Sequence, residues 1–212
     1  MKKGLLTIFI FPIFLNSFGQ LEPNCFIEVK KQHLYEINRL GLGKKWYPNL
    51  DSLNRNIKQP DFDSLMAVAD RTKKRVTKCQ YPQSFLRTSE KKEISTDQIK
   101  TNFTIINYNY LFCDRCILQL EDYVSIKKEL QDKVTILILF PEEQKEIQSI
   151  IDKYKTFMIF IPNMRKFIEE NNLGLGTPLN LILDRYKNVK YVTSGAANNS
   201  GQLYKELIPH LK

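Results

Sequence analysis

Ile105-Ile106-Asn107-Tyr108-Asn109-Tyr110-Leu111-Phe112-Cys113-Asp114-Arg115-Cys116 opens as an apolar, β-branched and aromatic run, the pattern of a buried strand. It closes on two cysteines three positions apart. Beyond them Leu120, Tyr123, Val124 and Leu130 suit one face of a helix. The cysteine pair therefore sits where a strand hands over to a helix. Unpaired N–H groups and the helix dipole at such an N-terminus favour negative charge. A thiolate is stabilised there, and the thiolate is the reactive form of cysteine. One helical turn along, the second cysteine reaches back to close a disulfide. Local geometry alone thus points to redox chemistry.

Toward the C-terminus, Val134–Phe140 is a continuous apolar run fit for a strand buried on both faces, and Pro141 stops it. Ile147, Ile150, Ile151 and Tyr154 mark one face of a helix, Phe157–Ile161 is a short apolar run, and Met164, Phe167 and Ile168 mark a further helix. Leu179–Leu183 and Val189–Thr193 read as a hairpin across the turn Asp184–Asn188, and Leu203, Leu207 and Leu211 stripe a last helix. Upstream, Phe85-Leu86 and Lys91–Ile94 read as a short hairpin, with Ser95–Lys100 a turn or short helix. The order β-α-β-α-(β)-α-β-β-α predicts an α/β layer fold around a mixed central sheet.

Residues 20–82 read as a mainly helical extension. Val29, Leu34, Ile37 and Leu40 lie at roughly helical spacing and end at Gly41-Leu42-Gly43. A loop with Trp46, Tyr47 and Pro48 comes next, then a second helical stripe through Phe62, Leu65, Met66, Ala69 and Val76, with Pro60-Asp61 as its start signal. Cys25 precedes the first helix and Cys79 closes the second. Three readings of this pair stand side by side: a structural disulfide, two buried free thiols, or a relay pair exchanging with Cys113.

Residues 1–19 have the pattern of a secretory leader: Lys2 and Lys3, an apolar core from Leu5 to Leu15, then Ser17-Phe18-Gly19. The apolar core is shorter than the about 20 residues that a spanning helix needs. Export, to a periplasm or beyond the cell, is the expectation, with no stable membrane insertion once the leader is removed. An uncleaved anchor is the alternative. The chain has 212 residues, is 42% hydrophobic and 26% charged, and carries a formal charge of +9. No dense basic run is interleaved with aromatics, so the charge reads as a solvated surface and a nucleic-acid partner is not expected. With two histidines, neither near the cysteine pair in sequence, a histidine-based zinc centre is not expected, nor is a cofactor. His33 and His210 read as surface residues.

The element order, the cysteine pair and a late proline resemble the thioredoxin superfamily, and 83–212 are most similar to the exported TlpA/ResA-like thiol–disulfide oxidoreductases. Ile94-Ser95-Thr96-Asp97-Gln98-Ile99-Lys100 resembles that family's Leu-Ser-Asp-Leu-Lys segment. Asn107–Cys113 resembles its Asn-Phe-Trp-Ala-Thr-Trp-Cys strand end, with the asparagine six before the cysteine retained. Gly176-Thr177-Pro178 before Leu181-Ile182-Leu183-Asp184 resembles its Thr-Pro and following strand, and Gly195 its glycine after the last hairpin. The resemblance implies a thioredoxin-like domain at 83–212, Cys113 as attacking and Cys116 as resolving thiol, and a cis Pro178 facing them. It places Phe112, Asp114, Arg115 and Thr177 on the active-site rim. It implies disulfide-containing protein substrates and a thiol electron donor such as a membrane reductase. The departures are Phe112 for tryptophan, Asp114-Arg115 between the cysteines, Gln119 for a glutamate and Glu121 for a proline; they bear on redox potential and direction more than on fold. Tyr110 stands where a peroxiredoxin has threonine, which argues against a peroxidase. Asn107 reads as a strand amide under the site, and Glu121 either as an acid–base near the buried thiol or as a solvated helix carboxylate. A binding or chaperone module with structural cysteines remains the second reading.

Overall fold

A computed structural model describes residues 25–42, 59–195 and 199–212. The leader at 1–19 and the loop with Trp46, Tyr47 and Pro48 lie outside the described residues. Two helices come first, α1 (Cys25–Arg39) and α2 (Gln59–Val76), then a hairpin of β1 (Phe85–Arg87) and β2 (Glu93–Ser95). Next come β3 (Phe103–Tyr108), α3 (Asp114–Leu130), β4 (Val134–Leu139), α4 (Gln148–Tyr154), β5 (Ile159–Ile161), α5 (Arg165–Asn171), β6 (Leu179–Asp184), β7 (Val189–Ser194) and α6 (Gln202–Leu207).

The main sheet has the order β5-β4-β3-β6-β7. β3 runs parallel to β4, and β4 to β5, while β6 is antiparallel to both β3 and β7. β3 at the centre is paired on both edges and covered on both faces, which is why its sequence is apolar without alternation. Successive side chains still point to opposite faces. Ile105 joins a core with Ile136, Ile138 and Ile182 under α3, α4 and α6. Ile106 and Tyr108 join Leu137, Leu139, Leu181 and Leu183 on the other face.

That second face is where the helical segment packs. Phe26 and Val29 of α1, and Ala69 and Val76 of α2, share one core with β3, β4 and β6. Cys25 is the first residue of α1 rather than preceding it, and a disulfide joins it to Cys79, across 54 residues of sequence. The backbone around Cys79 is tied to the β6–β7 turn: Val189 N–H donates to Cys79 O at 3.0 Å and Tyr81 N–H to Lys187 O at 2.8 Å. Because Asp184 pairs with Phe103, this is the start of β3, whereas Cys113 lies past its end. Five strand steps, about 17 Å, therefore separate the Cys79 end of β3, at Phe103, from Tyr108, and Cys113 lies beyond Tyr108. Direct exchange between the two pairs has no short path in this fold.

Two local expectations are corrected, and one is met. The cysteine helix begins at Asp114 with Cys113 as its N-cap, as the strand–helix junction predicts. The last helix ends at Leu207 and tightens into a 3₁₀ turn over Ile208–His210, where Pro209 has no N–H to continue the α pattern. His33 is fully buried, not on the surface, between α1, α2 and the α5–β6 connection. His210 stacks on Tyr191 with ring centroids 3.8 Å apart.

Burial of His33 makes stability depend on pH. Desolvation is the largest effect on its imidazole and holds it below the ordinary 6.5, against the Gly174 backbone and Glu36, which favour the charge; Arg75 opposes it. The unfolded chain then binds the proton first as pH falls. His33 contributes full stability above pH 6.5 and loses it progressively below, with a slope of at most about 1.4 kcal/mol per pH unit for one proton. Urea denaturation at pH 7.5, 6.5 and 5.5 checks this: the wild type weakens across the series more steeply than a His33→Gln variant.

Candidate functional site

The antiparallel pairing of β6 with β3 sets Leu179 opposite Tyr108. The segment after Tyr108 and the segment before Leu179 therefore share one end of the sheet. The first carries the cysteine pair and the second carries Thr177-Pro178, whose peptide bond is cis.

Cys113 takes extended backbone (φ −118°, ψ 90°) as the N-cap of α3. Its Sγ accepts a hydrogen bond from the Cys116 N–H at 3.2 Å, and its carbonyl accepts from the Cys116 and Ile117 N–H groups at 2.8 and 3.1 Å. A sulfur thus occupies the place where a capping oxygen usually sits, at the positive end of a 17-residue helix. Cys113 and Cys116 are joined as a disulfide, with Cα atoms 5.1 Å apart. Cys113 is half-buried and Cys116 wholly buried. Phe112 is 89% exposed, and Asp114 and Arg115, on the other side of the half-buried Cys113 in sequence, are also exposed. On the β6 side Thr177 is half-buried and Pro178 buried, and Pro178 O accepts from the Gly195 N–H at 3.0 Å.

Beneath the pair lies a chain of amides. Asn109 Nδ2 donates to Cys116 O at 3.2 Å and to Asn107 Oδ1 at 2.9 Å; Asn107 Nδ2 donates to Asn180 Oδ1 at 2.7 Å, which also accepts from the Tyr123 hydroxyl. Burial, with Asp122 and Glu206 nearby, pushes the Tyr123 phenol well above its ordinary value, so it stays a neutral donor. The network holds the turn bearing Cys116 in place without a titrating group of its own. Asn180 was not singled out from the sequence, yet an amide inside Leu179–Leu183 is a signal, because a buried polar side chain needs a partner.

Glu142 is a second residue that sequence reasoning passed over. Only 6% exposed, it lies just after β4, and its Oε1 accepts the Leu111 N–H at 3.2 Å. It holds the loop that leads into Cys113. Glu121 turns away from the cysteines: Lys153 Nζ lies 2.8 Å and the Tyr154 hydroxyl 2.5 Å from its Oε1, and these bonds carry its carboxyl below the usual range. Gln119 Nε2 donates to Gly195 O at 3.3 Å, tying α3 to the loop after β7. Among the described residues no group of three His, Cys, Asp or Glu side chains is placed to hold a metal ion, and no helix is long and apolar enough to cross a membrane.

The structure thus brings Phe112, Cys113, Asp114, Arg115, Cys116, Thr177 and Pro178 to one end of the sheet and sets Cys25 and Cys79 at the other. Solved structures share this arrangement of strands and helices. The thioredoxin domain of a thiol-disulfide oxidoreductase from Bacteroides vulgatus is 11% identical and superimposes with a TM-score of 0.53 over 64% of this chain and 97% of that one. A thioredoxin-family thiol:disulfide interchange protein from Chlorobium tepidum TLS is 17% identical, with a TM-score of 0.53 over 63% of this chain and 96% of that one. A Chlorobium tepidum protein described as the thiol:disulfide interchange protein DsbE is 10% identical, with a TM-score of 0.54 over the same shares. At these identities the likeness is one of fold. No protein-family model and no curated protein matches the sequence.

Proposed function

The chain has a thioredoxin-like fold, and on that basis we propose that it is an exported thiol–disulfide oxidoreductase that reduces disulfides in partner proteins. The observation that carries this is the asymmetry of the pair: Cys113 caps a helix at an accessible edge, while Cys116 is buried one turn behind it. That arrangement suits an attacking thiolate and a protected resolving thiol.

In the reduced protein, Cys113 Sγ attacks one sulfur of the partner's disulfide. That S–S bond breaks, a mixed disulfide forms, and the partner's other sulfur leaves as a thiolate and takes a proton from solvent. Cys116, deprotonated, then attacks Cys113 Sγ and releases the second partner thiol. Two electrons have passed to the partner, and the Cys113–Cys116 disulfide remains. An external dithiol, such as a membrane reductase, returns the electrons. Thr177 and Pro178 form the edge along which an extended partner segment lies; Pro178 offers no N–H, so neighbouring backbone makes the hydrogen bonds. Phe112 supplies apolar contact, and Asp114 and Arg115 select among partners by charge. The leader pattern at 1–19 supports export.

Cys116→Ser tests the reading. The variant is expected to accumulate mixed disulfides through Cys113 with a peptide disulfide, visible as a reductant-sensitive mass increase. Absence of any adduct, together with no turnover of a peptide disulfide by the wild type, would overturn the reading. Direction is read from the potential of the couple. A value near about −270 mV or lower fits a reductase, and one near about −120 mV makes the protein a disulfide donor.

A further inference from the structure

Pro178 is presented by the α5–β6 connection, Asn172 to Thr177, and that connection is held from outside the sheet. Leu173, Gly174 and Gly176 all take left-handed backbone, with φ of 57°, 73° and 78°. For Leu173 this is a conformation kept only where the surroundings over-determine it. Those surroundings include α1. Leu173 and Leu175 are buried in the core that takes Phe26 and Val29. Lys30 Nζ donates to the carbonyls of Glu169 and Glu170 at the end of α5, at 3.3 Å to the latter. His33, almost one turn further along α1, faces the backbone of Gly174. The spacing 26, 29, 30, 33 is one helix face.

His33 is held from two sides. The Thr72 hydroxyl lies 2.9 Å from Val68 O and 2.8 Å from His33 Nδ1. The other ring nitrogen, Nε2, is buried and faces the backbone of Gly174, which favours a proton on the ring. The charged groups around it are Glu36 on its own helix and Arg75 on α2, which pair with each other at 2.5 Å; from the α5–β6 side it meets backbone. A buried ring held between the Thr72 hydroxyl on one side and the backbone of Gly174 on the other acts as a rigid spacer.

We propose that α1 is a brace for the Asn172–Thr177 connection, with His33 as a positioning residue, so that the helical segment ahead of the sheet tunes partner capture at the Thr177–Pro178 edge rather than the sulfur chemistry. The link to capture rests on the oxidoreductase reading; the brace itself does not.

The experiment uses the full chain and His33→Asn, which keeps a polar group for Thr72 but is too short to reach Gly174; His33→Gln is the longer control. The first readout is amide hydrogen exchange at Gly174 and Leu175, whose N–H groups bond to Asn172 Oδ1 and O. Relative to Ile105 and Ile106 in β3, exchange at these two amides is expected to rise at least tenfold in His33→Asn and to return toward wild type in His33→Gln. A ratio that stays flat, or falls because β3 accelerates instead, overturns the brace. The second readout is reduction of an oxidised peptide. KM is expected to rise about fivefold, with kcat and the alkylation rate of reduced Cys113 unchanged. A changed exchange ratio with unchanged KM overturns the link to capture. If the wild type turns over no peptide disulfide while the exchange ratio rises as stated, the oxidoreductase reading fails and the brace is upheld.

Discussion

Serine in place of Cys113 is expected to abolish reduction of a peptide disulfide, by at least about a thousandfold, while leaving the fold intact. A hydroxyl does not ionise at neutral pH and cannot form the mixed disulfide, and removing a covalent nucleophile costs the whole acceleration it provides. Cys116 cannot substitute, because it is fully buried behind the N-cap position. The fold should survive for a specific reason. Cys113 caps α3 through its sulfur, and serine is among the best capping residues, so the bond from the Cys116 N–H is kept by an oxygen. Cys113→Ala removes that cap as well and should cost about 1 kcal/mol more than the serine variant. Turnover measured beside urea denaturation separates the two effects. Activity in Cys113→Ser above a hundredth of wild type would place the reacting thiol elsewhere.

The second large effect is on stability. Removing the Cys25–Cys79 bond by a pair of serines is expected to cost about 4 kcal/mol. The closed loop spans 54 residues of sequence, and loop-closure entropy for that length gives this figure. Total stabilities of domains run to about 5–15 kcal/mol, so the loss is a large fraction. Packing opposes it in part. Phe26 and Val29 bury against the sheet, and Glu36 on α1 pairs with Arg71 and Arg75 of α2 at 2.7 and 2.5 Å. The Glu36 side chain is only 17% exposed, so these pairs are partly shielded from water and add to that packing. The check is the urea midpoint of the double-serine protein against the oxidised wild type. A difference worth under about 1 kcal/mol would mean that packing alone holds α1 and that the covalent tie is incidental.

Much of this architecture was legible from residue order. The β3 run, the unbroken apolar β4 and the β6–β7 hairpin announce a mixed sheet, because strands buried on both faces carry no polar alternation. The cysteine pair at a strand–helix junction was equally plain, since strand, cap and helix are all local in sequence. The cis Thr177-Pro178 bond was expected only through the family resemblance.

Other features depend on contacts between residues far apart in the chain. His33 looks like a surface residue of an amphipathic helix until α2 and the α5–β6 connection close over it. Asn180 and Glu142 acquire meaning only when β6 aligns against β3 and the loop after β4 meets the Leu111 N–H. The α1–α2 segment reads as a separate extension, yet its apolar stripes complete the second face of the sheet. Residue order alone was enough for the elements, the mixed sheet and the redox-capable pair, because periodicity and capping act over a few residues. Which end of the sheet each cysteine pair occupies, and what lies beneath and beside Cys113, emerged only on folding. Those placements arise from strand register and face-to-face packing across more than a hundred residues of chain, as with Lys30 of α1 on the end of α5, 140 positions away.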